Sequence, residues 1–262
     1  MVSSYWQSTT AYRPRLSRNA LDKRTLIPAK GGTLQTELVS TARANGLLVY
    51  PLEPTLDALL SEVGKAHPVI VLVNRGYAWH PLWHYAPVTG YDKEKQAVLM
   101  HFSDRPHEAM SLSTFRALWK RSGNWGVVLL PPDRLPASAS PKRFLRAAYD
   151  LEKTGMREEA VTAYQSALKR WPKDTTVYFA LANAYYHSGK YKEAEHSYRK
   201  LLSIDPEDTM ALNNLADLLC RTGRAREALK VIDKAETEDA GMQTILKSTR
   251  QEISKGCAPL PK

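Results

Sequence analysis

The stretch WHYAPVTGYD, residues 83–92, lies between two short apolar runs and decides how the first half of the chain folds. The upstream run is PVIVLV (68–73), and the downstream run is AVLMHF (97–102). Short apolar, β-branched runs bounded by Gly, Pro and Asp are typical of strands. A turn at GYDK (90–93) then returns the chain into the second strand as a hairpin. This pattern predicts that His84 lies near the start of a strand, flanked by two aromatic residues.

The sequence around this hairpin predicts an α+β domain over residues 26–131. Outside the hairpin the predicted elements are, in chain order, helix 33–45, strand 47–50, helix 56–64, a short segment at 109–111, helix 114–121 and strand 125–130. Thr33 and Thr55 are suited to cap the first two helices, and Gly46 is suited to end the first. Antiparallel strands with the helices segregated elsewhere define the α+β class.

A His that opens a strand running into Gly-Tyr-Asp resembles the papain-like cysteine peptidases of the bacteriocin-processing type. The resemblance extends over residues 26–131 and includes the segments LIPAKGG (26–32) and GNWGVV (123–128). It implies a papain-like fold with an antiparallel sheet. It also implies that His84 corresponds to the base that deprotonates a Cys, and Asp104 to the carboxylate that orients the imidazole.

The nucleophile of that family is missing from the matching region. The family carries it near the N-terminus in a Gln…Cys-Gly-Pro motif, whereas residues 7–15 read QSTTAYRPR. Gln7 matches the oxyanion donor only if this region folds as in the family. The hydroxyls at 8–10 are far less acidic than a thiol and are poor replacements for it. A base with no thiol to deprotonate performs no acyl transfer, so His84 and Asp104 are expected to be vestigial.

The only cysteines of the chain are Cys220 and Cys257. Their separation in sequence argues against a disulfide framework. We expect Cys220 to be packed inside a helical repeat and Cys257 to lie in an exposed tail.

Composition restricts the partners and the location. At 262 residues two domains are expected, and the formal charge of +10 is spread over both halves, so we expect no nucleic-acid partner. No apolar run is long enough to span a membrane.

Residues 1–25 show no clear period and are expected to be poorly ordered. The first thirty are rich in Arg, Ser and Thr, which indicates a misassigned start or, alternatively, an organellar transit peptide. A lost signal would place the protein in the cell envelope or periplasm of a Gram-negative bacterium, and otherwise the cytoplasm is expected.

The second half of the chain is repetitive. Residues 132–140, PDRLPASAS, have the composition of a linker. Beyond them, small, aromatic and Pro residues recur every 34 positions: Ala148, Ala182 and Ala216; Gly155, Gly189 and Gly223; Ala160, Ala194 and Ala228; Tyr164 and Tyr198; Pro172 and Pro206. This period resembles tetratricopeptide repeats and predicts an all-α solenoid of three repeats over residues 141–256. The last helix, 243–255, is predicted to cap the array.

The first helix of each repeat lines the concave face in arrays of this kind. The resemblance therefore implies a groove with these side chains: Arg146, Tyr149, Phe179, Asn183, Tyr186, Asn213, Asn214 and Asp217. Asn amides pair with the backbone of an extended peptide, and aromatic rings supply contact area. We expect a peptide or protein partner in this groove, and a scaffold surface without a single ligand is the alternative.

Three functions stay open at this point. The first is a catalytically impaired or truncated peptidase-like protein that acts through its repeats. The second is an active cysteine peptidase whose Cys-bearing N-terminus is missing from this sequence, and the third is a pure scaffold. No cofactor is expected. The spacing of His80, His101 and His107 fits no zinc pattern, so no metal is expected either.

Overall fold

A computed structural model describes residues 34–102 and 108–258. The packing divides the chain into a first unit, Met1–Ser166, and a second unit, Ala167–Lys262.

The first unit is built on one antiparallel sheet. Within the described residues its strands are β1 (Leu48–Pro51), β2 (Val69–Asn74), β3 (Trp83–Asp92), β4 (Ala97–Met100), β5 (Glu108–Ser111) and β6 (Gly126–Leu130). Their order is β1-β6-β2-β3-β4-β5, and every neighbouring pair is antiparallel. The predicted α+β domain with an antiparallel sheet is therefore confirmed at this level of detail.

The hairpin that opened the sequence analysis is present, but its turn is displaced. The predicted turn at 90–93 is wrong, because Gly90 pairs with Leu99 inside the β3–β4 ladder and β3 continues to residue 92. The chain reverses at 93–96 instead. A Cβ at position 90 would lie 2.8 Å from Leu99 Cδ1. Gly90 therefore allows two strands to approach closely at a bulge. Glycine is favoured at such sites as well as in turns.

Three helices precede residues 132–140 in the described part of the first unit. They are α1 (Gln35–Ala44), α2 (Leu56–Val63) and α3 (Leu112–Lys120). Thr55 caps α2 by accepting a hydrogen bond from the Ala58 N–H at 3.2 Å. Gly46 follows α1 with φ of 78°, a left-handed conformation that suits glycine. The predicted cap Thr33 lies outside the described residues.

The core of the first unit lies on the sheet. The β2 residues Val69, Val71 and Val73 alternate along the strand, so they lie on one face of the sheet, and all three are fully buried. Trp119 on α3 is 2% exposed, and its indole N–H donates to the Trp125 carbonyl at 2.8 Å. A large buried side chain whose polar atom is satisfied stabilises the fold by about 2–3 kcal/mol.

Residues 132–140, which the composition predicts to be a linker, are held against the first unit. The Glu62 side chain is completely buried and accepts hydrogen bonds from the Ala137 N–H, the Ser138 N–H and the Ser138 hydroxyl. The Tyr50 hydroxyl donates to the Ser138 carbonyl at 3.2 Å and accepts from the Ser140 N–H at 3.3 Å. These hydrogen bonds therefore hold the segment that precedes the first repeat in place.

The repeats form helix pairs, and their bounds match the 34-residue period. The helices are α4 (Pro141–Lys153), α5 (Arg157–Arg170), α6 (Thr175–His187), α7 (Tyr191–Ile204), α8 (Thr209–Arg221), α9 (Ala225–Ile232) and α10 (Ala240–Lys255). Gly155, Gly189 and Gly223 lie in the turns between paired helices with φ of 86°, 73° and 84°. All six repeat alanines are fully buried, so the helices approach closely at these positions.

The predicted capping helix is present in the second unit. It is α10, which begins at Ala240, a few residues before the predicted start, and packs against α8 and α9. Asp239 caps it by accepting from the Met242 N–H at 2.7 Å. Ile253 on this helix is 3% exposed and contributes to the core.

Candidate functional site

His84 lies where the sequence predicts it, at the beginning of β3 and opposite Val73 of β2. Its side chain is exposed, and no residue within 34–102 or 108–258 forms a hydrogen bond or ion pair with the imidazole. Asp104 and Gln7 lie outside the described residues, so their predicted roles beside His84 remain predictions. An exposed, unrestrained imidazole is accessible to a ligand but is not oriented by its described neighbours.

The two cysteines form a disulfide, and the expectation that they would not is wrong. Cys220 on α8 is bonded to Cys257, with 5.7 Å between the Cα atoms. The bond spans 37 residues because α10 packs against α8 and brings the following residues back to it. Separation in sequence does not measure distance once helices pack in antiparallel pairs. Cys257 is therefore tied down and does not lie in a free tail.

The disulfide also bears on the predicted peptidase chemistry. The sequence contains two cysteines, and both are used in this bond. A bonded sulfur is not a thiolate and cannot act as a nucleophile or a metal ligand. In this oxidised form the sequence therefore offers His84 no thiol. In the described part of the chain, no cluster of three or more His, Cys, Asp or Glu side chains could hold a metal ion.

The predicted groove residues of the second unit form a ladder of side-chain hydrogen bonds. The Asn183 Oδ1 atom accepts from the Tyr198 hydroxyl at 2.5 Å and from Asn214 Nδ2 at 3.3 Å. Asn214 Oδ1 accepts from Asn213 Nδ2 at 3.3 Å. Thr249 on α10 then donates to Asn213 Oδ1 at 2.8 Å. The ladder connects α6, α8 and the capping helix, and all of its members are at least partly buried.

This ladder fixes the orientation of the Asn183 amide. Its oxygen accepts from two donors, so its Nδ2 group is left as the donor that faces other partners. No described residue accepts from that Nδ2. The half-buried Asn183 side chain therefore offers an oriented N–H₂ group, which is suited to donate to a peptide carbonyl.

A charged cluster lies on the same helices. The Tyr186 hydroxyl donates to Asp217 Oδ2 at 3.3 Å, and Arg221 Nε lies 2.7 Å from Asp217 Oδ1. Burial raises the pKa of Tyr186, and the nearby charge of Asp217 raises it further. Hydrogen bonding to Asp217 raises the pKa of the Arg221 guanidinium. Tyr186 therefore stays protonated and Arg221 stays charged across the physiological range.

Other predicted groove residues are placed differently. Phe179 packs edge-on against the Tyr198 ring, with 6.2 Å between centroids, and so supports the ladder. Arg146 and Tyr149 belong to the first unit. Arg146 pairs with Asp150 at 3.0 Å on its own helix, and Tyr149 is 43% exposed with the Lys153 ammonium 5.4 Å from its ring centroid.

Sequence reasoning missed three members of this site. Tyr198 was noted as a repeat position but not as the donor that orients Asn183. Arg221 stands four residues after Asp217 on one helix, a spacing that signals an ion pair and was available in the sequence. Thr249 lies on the capping helix, and no local sequence pattern predicts its contact with Asn213.

Comparison with known proteins identifies the repeats. The tetratricopeptide repeat family profile matches residues 145–209 and 179–242, so this region of the chain carries tetratricopeptide repeats. None of the curated proteins matches the chain.

The solved structures that are similar to part of the chain include the following two. One is the type III secretion chaperone SycD of Yersinia enterocolitica in complex with a peptide of the translocator YopD. It is 20% identical over 44% of this chain and 92% of its own, with a TM-score of 0.41. The other is the complex of the TPR2B domain of yeast Sti1 with pHsp70, 22% identical over 44% of this chain and 96% of its own, with a TM-score of 0.40.

The comparisons give no support to a peptidase domain in the first unit. Within the described residues, no helix is both long and apolar enough to cross a membrane.

Proposed function

We propose that the protein binds an extended peptide segment of a partner protein through the repeat helices of its second unit. The observation that carries this proposal is the oriented Asn183 amide, whose oxygen is held by Tyr198 and Asn214 and whose Nδ2 group has no acceptor among the described residues. An extended peptide carries unpaired backbone carbonyls that such a donor satisfies. Tetratricopeptide repeats in this region support an interaction role.

The ladder lowers the cost of binding. A free Asn side chain loses rotamer freedom when it binds, which costs about 0.5–1.5 kcal/mol. The bonds to Tyr198 and Asn214 restrict Asn183 before any peptide arrives. Arg221 and Asp217 beside the ladder add charges that select among peptides by sequence.

The experiment uses a random peptide display library selected against the full chain. Affinities of the selected peptides are then measured by fluorescence polarisation. Asn183→Asp keeps the size and the accepting oxygen but removes the donor, and we expect it to weaken binding about tenfold, equivalent to about 1.4 kcal/mol. Tyr198→Phe should weaken binding less, because it frees the amide without removing it. Ser203→Ala, on the second helix of the same repeat, is the matched control and should bind like the wild type. Failure to select any peptide, or equal affinity for Asn183→Asp and the control, would contradict the proposal.

We propose further that residues 26–131 form a peptidase-like domain that does not hydrolyse peptides. The exposed His84 at the beginning of β3 and the pairing of both cysteines in the second unit support this view. Purified protein should cleave a quenched fluorogenic peptide pool no faster than its His84→Ala variant. Cleavage that His84→Ala abolishes would instead favour an active peptidase. If only a longer product of the same gene shows that cleavage, the nucleophile lies on a segment that precedes this sequence.

The disulfide also supports an oxidising location for the protein. Disulfides persist outside the reducing cytosol, so among the expected locations the cell envelope or periplasm fits the Cys220–Cys257 bond better than the cytoplasm does.

A further inference from the structure

The loop between β2 and β3 exposes an unusual set of large apolar side chains. Tyr77, Trp79, Leu82 and Trp83 are 69%, 82%, 51% and 48% exposed. The other exposed large hydrophobic side chains in the described residues are scattered: Leu34 precedes α1, and Tyr149, Ile204, Met210 and Ile245 lie on four different helices. We refer to these four side chains as the aromatic tip. Isolated exposed apolar residues are normal, but a cluster of this kind marks an interaction site.

The base of the tip is rigidly built. Asn74 is 3% exposed, and its Oδ1 accepts from the N–H groups of Gly76 and Leu82 at 2.9 Å each. The Arg75 N–H donates to the Leu82 carbonyl at 2.9 Å, and Arg121 donates to the Gly76 carbonyl at 2.6 Å. These bonds close the loop from both sides.

The tip itself is also ordered. The Tyr77 N–H donates to the His80 carbonyl at 3.1 Å, and the rings of Tyr77 and Trp79 stack with 5.5 Å between centroids. A Cβ at Gly76 would lie 2.3 Å from the His80 carbonyl oxygen, so only glycine fits there. The loop therefore holds its aromatic rings in solvent instead of allowing them to fold back onto the sheet. Ordering before contact reduces the entropy lost on binding.

The charges around the tip indicate what it contacts. Residues 74–84 contain no Asp or Glu, and they contain Arg75, His80 and His84. Arg121 is bonded to the same loop, and within the described residues neither Arg75 nor Arg121 forms an ion pair. Aromatic rings at the end of a loop with cations behind them match the interface of an anionic bilayer, where Trp and Tyr lie among headgroups.

The shape of the tip favours lipid over a folded protein or a peptide. Sites for small ligands and peptides are concave, whereas Trp79 is the most exposed large apolar residue described and projects from a hairpin end. A convex aromatic projection inserts readily into a deformable medium. We propose that the aromatic tip docks the first unit onto anionic lipid membranes by inserting Trp79 and its neighbours into the headgroup region. This site is independent of the repeat groove.

Vesicle flotation of the full chain tests the proposal. The vesicles are phosphatidylcholine alone or phosphatidylcholine with about one third phosphatidylglycerol, at about 0.1 M salt. We expect binding to the anionic vesicles and little binding to the neutral ones. Trp79→Ser should lower the partition coefficient about tenfold, because it removes the most exposed large apolar side chain of the tip. Tyr149→Ser is the matched control, since Tyr149 is also an exposed aromatic residue beside a cation but lies on a helix face. It should leave binding unchanged.

A depth measurement separates insertion from general attraction by the net positive charge. Lipids with brominated chains should quench the tryptophan fluorescence of the wild type, and Trp79→Phe should bind but lose most of that quenching. Circular dichroism of each variant checks that the exposed substitution leaves the fold intact. Equal binding of the wild type and Trp79→Ser would overturn the proposal, as would binding without quenching. Failure of the wild type to bind anionic vesicles would also overturn it and would favour a protein as the partner of the tip.

Discussion

The buried carboxylate of Glu62 joins α2 to the segment that precedes the repeats, and its replacement by Gln probes that junction. One oxygen accepts from the Ser138 N–H at 2.7 Å and from the Ser138 hydroxyl at 2.5 Å. The other accepts from the Ala137 N–H at 3.0 Å and lies 2.9 Å from His67 Nδ1. Gln has nearly the same size, but it turns one acceptor into an N–H₂ group that faces a backbone donor.

The size of the effect follows from these bonds. A buried backbone N–H without an acceptor costs about 1–3 kcal/mol, and removal of one partner from a buried charged network costs about 3–5 kcal/mol. Because Gln keeps one oxygen and the packing volume, we expect the free energy of unfolding of the first unit to fall by about 3 kcal/mol. With a urea m-value of about 2 kcal/mol/M, the midpoint should fall by about 1.5 M.

Urea unfolding followed by tryptophan fluorescence measures this change, since Trp119 is buried in the same unit. Glu53→Gln is the control, because Glu53 is an exposed glutamate and its side chain has no partner among the described residues. It should leave the midpoint within about 0.3 M of the wild type. A midpoint for Glu62→Gln that equals that of the control would refute the role given to Glu62.

The pH dependence supplies a second test of the same reasoning. Burial alone would raise the pKa of Glu62, but the hydrogen bonds from His67, Ser138 and the Ala137 backbone outweigh it, and the pKa is lowered. A carboxyl whose pKa is lower in the folded state stabilises the fold above its unfolded pKa of about 4.3 and loses that contribution as the pH falls through the folded value. The stability difference between the wild type and Glu62→Gln should therefore shrink as the pH falls below about 4.3, where this carboxyl begins to be protonated in the unfolded state. A difference that grows as the pH falls below about 4 would contradict the assignment.

Three further predictions concern the second unit. Gly189→Ala should lower its stability by about 1–2 kcal/mol in urea unfolding, because φ is 73° there and a Cβ disfavours that conformation; an unchanged midpoint would contradict this. Asp174→Ala should cost about 1 kcal/mol by removing the hydrogen bond to the Val177 N–H at 3.1 Å, whereas Asp174→Asn should retain most of the stability. Cys257→Ser should accelerate amide exchange in α10 and leave the first unit unchanged, because loss of the bond to Cys220 frees an end helix; equal exchange in both proteins would show that packing alone holds α10.

Local signals in the sequence were sufficient for the repeats and for most caps. A 34-residue period places the same small residue at every helix crossing, so each match repeats the same physical requirement. Thr55 at a helix start and Gly189 in a helix turn are local requirements of the same kind. Each acts within a few residues, and the structure confirms both.

The features that sequence reasoning missed depend on distant residues. The sequence predicts a helix over residues 56–64 but not the burial of Glu62 within it, because the donors that permit this burial lie 75 and 76 positions later. The Cys220–Cys257 bond and the contact of Thr249 with Asn213 both require α10 to pack on α8. The turn at 90–93 was misplaced because glycine serves strand approach and turn formation equally well, and only the partner strand distinguishes them.

The covalent link between α8 and the segment after α10 also has a consequence for biogenesis. Because Cys257 follows Cys220 by 37 residues, the ribosome must translate the whole terminal helix before the sulfurs can meet. Until α10 has been translated, the apolar edge of the last repeat is uncovered. A nascent chain in this state is prone to aggregation and to pairing with non-native thiols. We therefore expect oxidation to follow translation of α10, and the yield of the disulfide-bonded form should follow the capacity of the host to form disulfides.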